Sequence, residues 1–239
     1  MSNVIDPYRF AYTPPSVNLL TDLTAVWEFN NDLTDSHGSY DGEGAYGTSY
    51  DNSGKWSKYV IQGDGSDSYA DVDIGTSGIN DVDSFMVGFW IYARTPFAGG
   101  WAAARYNASA NNRVWLIGYH NTNGVYFQTY DSGQTVKQLF EDTATPYETG
   151  WKHIFVVRDG SNEYIYVNGV ETASWSTGHA TLNVSSVADF RVFASESSTN
   201  PSFYGDMQQL AWWGSYRSDH ADMANKLHYN GAGLDYSSW

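Results

Sequence analysis

Two turn signals in quick succession, Asp159-Gly160-Ser161-Asn162 and Asn168-Gly169, leave residues 152–158, 163–167 and 170–173 little choice but an antiparallel meander. Gly takes positive φ without steric cost and Asn or Asp tolerates it, so such pairs close tight hairpins between strands. The flanking runs are rich in Ile, Val, Phe and Tyr, which suit a pleated, half-buried surface. Similar short runs bounded by Gly, Asn, Asp and Ser occur at 23–29, 69–74, 84–92, 113–119, 124–130 and 135–140, several alternating apolar with polar. Residues 30–57 read as a long polar stretch. Only residues 219–228 read as helix: Ser218 can cap them, Lys226 and His228 close them, and Asn230-Gly231 stops them. Met223 and Leu227, four apart, would face a sheet. Many strands, one helix and no β-α alternation predict an all-β fold with antiparallel sheets.

At 239 residues the chain can be one such domain. Its first twenty residues differ from the rest. Pro7, Pro14 and Pro15 stand among Tyr8, Phe10 and Tyr12 with no period of 2 or 3.6. Paired prolines stiffen a chain into an extended form. The expected division is therefore an extended N-terminal arm over 1–20, docked on its own domain or on a neighbouring subunit, and one all-β domain over 21–239.

Charge and composition remove whole classes of function. Twelve basic against 27 acidic residues give a net charge of −15, the wrong sign for nucleic acid or an anionic membrane surface. The absence of Cys excludes disulfides, thiolate zinc sites and cysteine nucleophiles. No basic-then-apolar leader opens the sequence and no apolar run reaches the length of a membrane span, so the expectation is synthesis in a reducing cytoplasm without a signal peptide. The six His show no zinc-ligand spacing, and there is no Gly-x-Ser-x-Gly, His-Glu-x-x-His or phosphate-binding glycine loop.

Four segments in order resemble a known family. They are Ala25-Val26-Trp27-Glu28-Phe29 with Asp35-Ser36-His37-Gly38; residues 85–92 around Trp90; residues 151–157 with Tyr164-Ile165-Tyr166-Val167-Asn168-Gly169; and Phe203-Tyr204-Gly205-Asp206-Met207-Gln208-Gln209-Leu210 with Tyr229-Asn230-Gly231. Together, over about Leu20 to Gly233, they resemble the laminin G-like (LamG) domains of the concanavalin A-like lectin/glucanase superfamily. The resemblance implies a two-sheet antiparallel jelly-roll sandwich with one short C-terminal helix and a buried Trp90. It also implies binding of glycans or proteins through rim loops or a sheet face. Many relatives hold calcium near the first turn and the closing strand. Asp35 matches the first position, but Gln208 stands where a second Asp is common, which weakens a calcium site. Calcium at Asp35 is the one metal candidate, and no other cofactor is expected. The glucanase branch carries Glu-x-Asp-x-x-Glu, which this chain lacks, so the expectation is a non-enzyme.

Asp71 with Asp73, and Asp81 with Asp83, each place two carboxylates on one side of an extended segment and read as solvent-facing charge rather than as calcium sites. Trp101, Tyr106, Tyr119, His120 and Trp175 fall near strand ends or in loops, with Asn107, Asn111 and Asn112 close by, and are the glycan-binding candidates. Trp212 and Trp213 point to opposite faces of one strand, so one is expected in the core and the other at the surface. Two functions follow. The first is a structural protein of a virus particle, most naturally a bacteriophage capsid decoration or tail appendage, with other virion proteins and its own copies as partners; the second is a lectin-like module or adhesin recognising host polysaccharide.

Overall fold

A computed structural model describes residues 16–73, 82–94, 99–107, 111–120, 124–141, 150–175, 181–184, 188–194 and 202–239. The arm residues Pro7, Tyr8, Phe10, Tyr12, Pro14 and Pro15 lie outside them, as does Asp81. Strands β1 (Leu23–Trp27), β2 (Gly44–Tyr46), β3 (Ser49–Asp51), β4 (Val60–Asp64) and β5 (Tyr69–Asp73) come first. β6 (Ser84–Ala93), β7 (Gly99–Asn107), β8 (Asn112–His120), β9 (Gly124–Tyr130) and β10 (Val136–Phe140) follow. The chain continues through β11 (Trp151–Asp159), β12 (Glu163–Val167), β13 (Val170–Trp175), β14 (Phe190–Val192) and β15 (Tyr204–Trp213) to one helix, α1 (His220–His228).

These strands form the expected sandwich of two antiparallel sheets. Sheet A has the order β13-β12-β11-β6-β15-β4-β3, with β1 also paired to β15; sheet B has the order β10-β9-β8-β7-β14-β5-β2. Alternation along the strands builds the core between them. In β11, Ile154 and Val156 point inward, while Phe155 and Val157 point to the outer face of sheet A. Aromatic rings fill the centre: Phe85 stacks on Trp212 at 4.6 Å, and Trp115 meets Trp212 at 5.7 Å and Phe190 at 5.1 Å. Each such ring, fully buried, contributes roughly 2–3 kcal/mol from area alone.

The outer face of sheet A is not left to solvent. Met223, Ala224 and Leu227 of α1 pack on it beside Val17, Leu19 and Trp213. Trp213 donates its indole N–H to Leu19 O at 2.9 Å and stacks on Trp239 at 5.7 Å. The expectation of one surface Trp is thereby corrected: Trp212 fills the core between the sheets, and Trp213 a second core beneath the helix and the C-terminal segment. Val17 and Leu19, within the expected arm, are buried. The helix starts one residue later than expected, with Asp219 in the N-cap position, and Arg217 holds the Asp219 carboxylate at 2.9 and 2.6 Å.

Two carboxylates read as solvated charge turn out to be paired. Asp71 meets Arg191 at 2.5 Å on β5, which lies between β14 and β2 rather than at an edge. Asp83 accepts from Arg158 Nη2 at 3.1 Å and from Leu182 N at 2.7 Å. Arg158, wholly buried, also bonds Glu163 at 2.7 Å, and Glu163 accepts from Thr129 of sheet B at the same distance. This chain of charge-assisted bonds ties the two sheets together. Among the described residues, no helix is long and apolar enough to cross a membrane.

Candidate functional site

At one rim of the sandwich, β15 begins beside the ends of β4 and β6 and the start of β3, and a polar cleft opens there. It has a volume of about 170 Å³ and is lined by Gly47, Ser49, Gln62, Gly63, Asp64, Arg94 and Tyr204. That is smaller than most ligand-binding pockets, which run on the order of 300–1,000 Å³, so the cleft takes one end of a ligand rather than enclosing it. The antiparallel pairing of β4 with β15 sets Tyr204 opposite Asp64 and Asp206 opposite Gln62, which fixes the floor. Gly63 permits the close packing behind it: a Cβ there would stand 2.3 Å from Phe203 O.

The charges around the cleft are held in place. Arg94 Nη2 binds Asp206 Oδ1 at 2.7 Å, and a third of the Arg94 side chain stays exposed. Burial pushes the Asp206 carboxyl up, and the Arg94 guanidinium works against that shift. Asp64 feels some burial, but hydrogen bonds from Ser66, Ser68 and Asp67 outweigh it and hold its pKa low, so it is ionised at neutral pH. Ser49 Oγ donates to Gln62 Oε1 at 3.1 Å. The cleft is thus lined by a tyrosine, a guanidinium, a carboxylate, a carboxamide and a hydroxyl, a set of groups able to bond the hydroxyls of a small polyhydroxylated ligand.

A second, apolar cleft of only about 10 Å³ lies on the other side of the Phe203–Tyr204 step, lined by Ile91, Ala93, Tyr119, Gly150, Lys152 and Phe203. Tyr119, a glycan candidate from sequence, reaches this cleft but is otherwise turned into the core, with Lys152 Nζ 5.7 Å from its ring centre. Trp101 and Tyr106 are brought together, 4.8 Å apart, on the outer face of sheet B. His120 is exposed at the end of β8. Trp175 packs at the opposite edge of the sandwich near Lys137, 5.6 Å away. The five candidates therefore do not share one site. The rim residues Ser49, Gln62, Asp64, Arg94 and Tyr204 come from separate segments with no common motif, and no sequence signal marks them.

Asp35 is already saturated. Its Oδ1 accepts from Val26 N at 2.8 Å and His37 N at 2.9 Å, and its Oδ2 from Gly38 N at 3.0 Å and Tyr40 N at 3.1 Å. Four N–H dipoles aimed at one carboxylate close a turn and repel a cation from the same oxygens. Among the described residues, no three His, Asp or Glu side chains gather as a metal site.

The family Laminin_G_3, described as Concanavalin A-like lectin/glucanases superfamily, matches residues 64–221. No curated protein sequence matches the chain. Among solved structures, the binding domain of Paraclostridial Mosquitocidal Protein 1 superposes with a TM-score of 0.69 at 14% identity, over 87% of this chain and 52% of that one. Domain 4 of AbnA, a GH43 extracellular arabinanase from Geobacillus stearothermophilus, solved with arabinotriose, gives 0.61 at 20% identity, over 85% of this chain and 98% of that one. The botulinum neurotoxin serotype D binding domain gives 0.63 at 16% identity, over 89% and 53%. The chain spans about half the length of the two toxin binding domains. At these identities the likeness establishes the fold.

Proposed function

Because the chain belongs to the concanavalin A-like lectin/glucanases superfamily, we propose that it is a lectin-like module that binds carbohydrate and does not cleave it. The observation that carries this reading is the rim cleft, where Tyr204 stands beside Arg94, Asp64, Gln62 and Ser49. Planar side chains bond pairs of sugar hydroxyls, and an aromatic ring takes the C–H face. The likeness to an arabinanase domain solved with arabinotriose, nearly all of which this chain covers, supports the same class of ligand. The lack of Glu-x-Asp-x-x-Glu supports binding over hydrolysis. The alternative of a phage structural protein rests on the arm, the acidity and the absence of Cys, features of the sequence alone, and so stands second.

Calorimetric titration with arabinotriose and a panel of neutral oligosaccharides tests the proposal. The intact chain is expected to bind at least one of them, and Tyr204→Ala to weaken it by about tenfold or more, the effect of losing roughly 1.4 kcal/mol. Trp175→Ala, at the far edge, is expected to leave the affinity unchanged. Failure of every neutral glycan to bind would sink the reading.

A further inference from the structure

Beside the rim cleft, two tyrosines stand on the outer face of sheet B. Ala70 and Val72 of β5 point into the core, so Tyr69 at the start of that strand points outward. Strand β2 pairs with β5 so that Tyr46 lies directly opposite Tyr69, and their rings stack 5.8 Å apart at an interplanar angle of 25°. Tyr69 is braced from β14 as well: Arg191 Cζ lies 4.2 Å from its ring centre, and Arg191 is itself paired with Asp71. Tyr46 has more freedom. It lies on β2, which ends the strand order of sheet B, and at 56% it is more exposed than any other described Trp, Tyr or Phe.

The pair is continuous with the cleft. Tyr46 precedes Gly47, which lines the cleft, and Tyr69 follows Ser68, which packs on Gly47: a Cβ on Gly47 would stand 3.3 Å from Ser68 Cα. Asp64, another lining residue, donates its backbone N–H to Ser68 Oγ at 2.8 Å. Tyr204 packs over Gly65 in the same turn, where a Cβ would come within 2.7 Å of Tyr204 Cβ. One surface therefore runs from Tyr204 across the 65–68 turn to Gly47 and Tyr46. The cleft, at about 170 Å³, takes one end of a ligand, so the rest of a longer ligand lies outside it. Resting on the reading that the rim cleft binds glycan, we propose that Tyr46, backed by Tyr69, is a second subsite that stacks on the sugar unit next to the one in the cleft. An aromatic ring offers its apolar face to the C–H groups of a sugar and leaves the hydroxyls to water. A ring already braced by a second one loses little rotamer freedom when a ligand arrives, which lowers the cost of binding. A lone surface tyrosine calls for no ligand; this one is stacked, and it stands at the mouth of a cleft smaller than the ligand that the cleft begins to hold.

Calorimetric titration of the intact chain with arabinotriose and cellotriose, each beside its monosaccharide, tests the subsite. A trisaccharide that binds is expected to do so at least about threefold more tightly than its monosaccharide. Tyr46→Ala should weaken that trisaccharide about three- to tenfold, and Tyr46→Phe, which keeps the ring, should retain the parental affinity. Binding of the monosaccharide should be the same in Tyr46→Ala as in the parent and weaker in Tyr204→Ala. Parental trisaccharide affinity in Tyr46→Ala overturns the proposal and leaves the rim reading standing. Equal weakening of monosaccharide and trisaccharide by Tyr46→Ala also overturns it, because that result marks damage to the short strand β2 rather than loss of a subsite. If neither trisaccharide binds, the proposal falls, and the rim reading falls with it only when the rest of the neutral panel fails as well.

Discussion

His153 lies in a cross-strand row with Trp90 and Gln208 on the outer face of sheet A, and in each of the three a buried polar atom has no hydrogen-bond partner among the described residues. Burial, then the positive charges of His228 and Lys55, push the His153 pKa down to about 3. It is therefore neutral in the folded chain at pH 7, whereas in the unfolded chain it titrates near 6.5. A depressed histidine contributes stability above its unfolded pKa and loses it as pH falls towards the folded one. The expected loss runs from about pH 6.5 downwards, at up to about 1.4 kcal/mol per pH unit for the one proton. His220 and His228 are shifted down as well and act in the same sense. Glu163, Asp71 and Asp206 are raised by burial and act in the opposite sense, so the contribution of His153 is read from a variant. Urea midpoints of the parent and His153→Leu between pH 7 and pH 4.5 should show a shallower slope in the variant. An unchanged slope would mean that His153 takes up its proton while folded.

Among the elements, the β12–β13 hairpin shows how a local turn is tied into the tertiary structure. Asn168 and Gly169 both take positive φ, 53° and 79°, and Asn168 Oδ1 accepts from His153 N at 3.0 Å. A Cβ on Gly169 would sit 3.1 Å from His228 Cβ and 3.3 Å from Ala224 O on α1, whereas one on Gly160, also at positive φ, meets only the Ser84 and Asp83 side-chain ends at 3.3 and 3.5 Å. Both Gly→Ala changes incur backbone strain of about 1 kcal/mol. Gly169→Ala should cost more, because the helix must give way. Thermal denaturation should show the larger fall in Tm for Gly169→Ala, and equal falls would mean that the helix is not in firm contact. The sequence located this hairpin because its turn chemistry is local. It missed β7, whose Gly-Gly-Trp-Ala-Ala-Ala run has low strand propensity and is held by pairing with β8 and β14. It also missed β2 and β3 within the polar stretch, three-residue strands that exist only by pairing with β5 and β4.

For the molecule as a whole, the C-terminal segment closes a second core. The bulge at Gln209, with φ of 54°, turns its carboxamide towards that segment, donating to Leu234 O at 2.8 Å and accepting from Tyr236 N at 2.9 Å. Removing residues 234–239 would uncover Trp213 and leave Gln209 without these partners. The expected cost is roughly 2–5 kcal/mol, with increased binding of a hydrophobic dye. A truncated chain with parental stability and no dye binding would show that helix α1 alone covers sheet A. The sequence by itself determined an all-β chain of antiparallel strands with one C-terminal helix lying on a sheet, because strand alternation, turn residues and capping signals act over a few positions; the two-sheet sandwich came from the resemblance to LamG domains. Tertiary structure alone decided that both Trp212 and Trp213 are buried, that Asp71 and Asp83 are paired, that Asp35 binds amides, and that Trp101, Tyr119 and Trp175 lie apart while Ser49, Gln62, Asp64, Arg94 and Tyr204 meet at one rim. The physical reason is that pairing order between distant strands brings such groups together, and pairing order leaves no mark in the local pattern of residues.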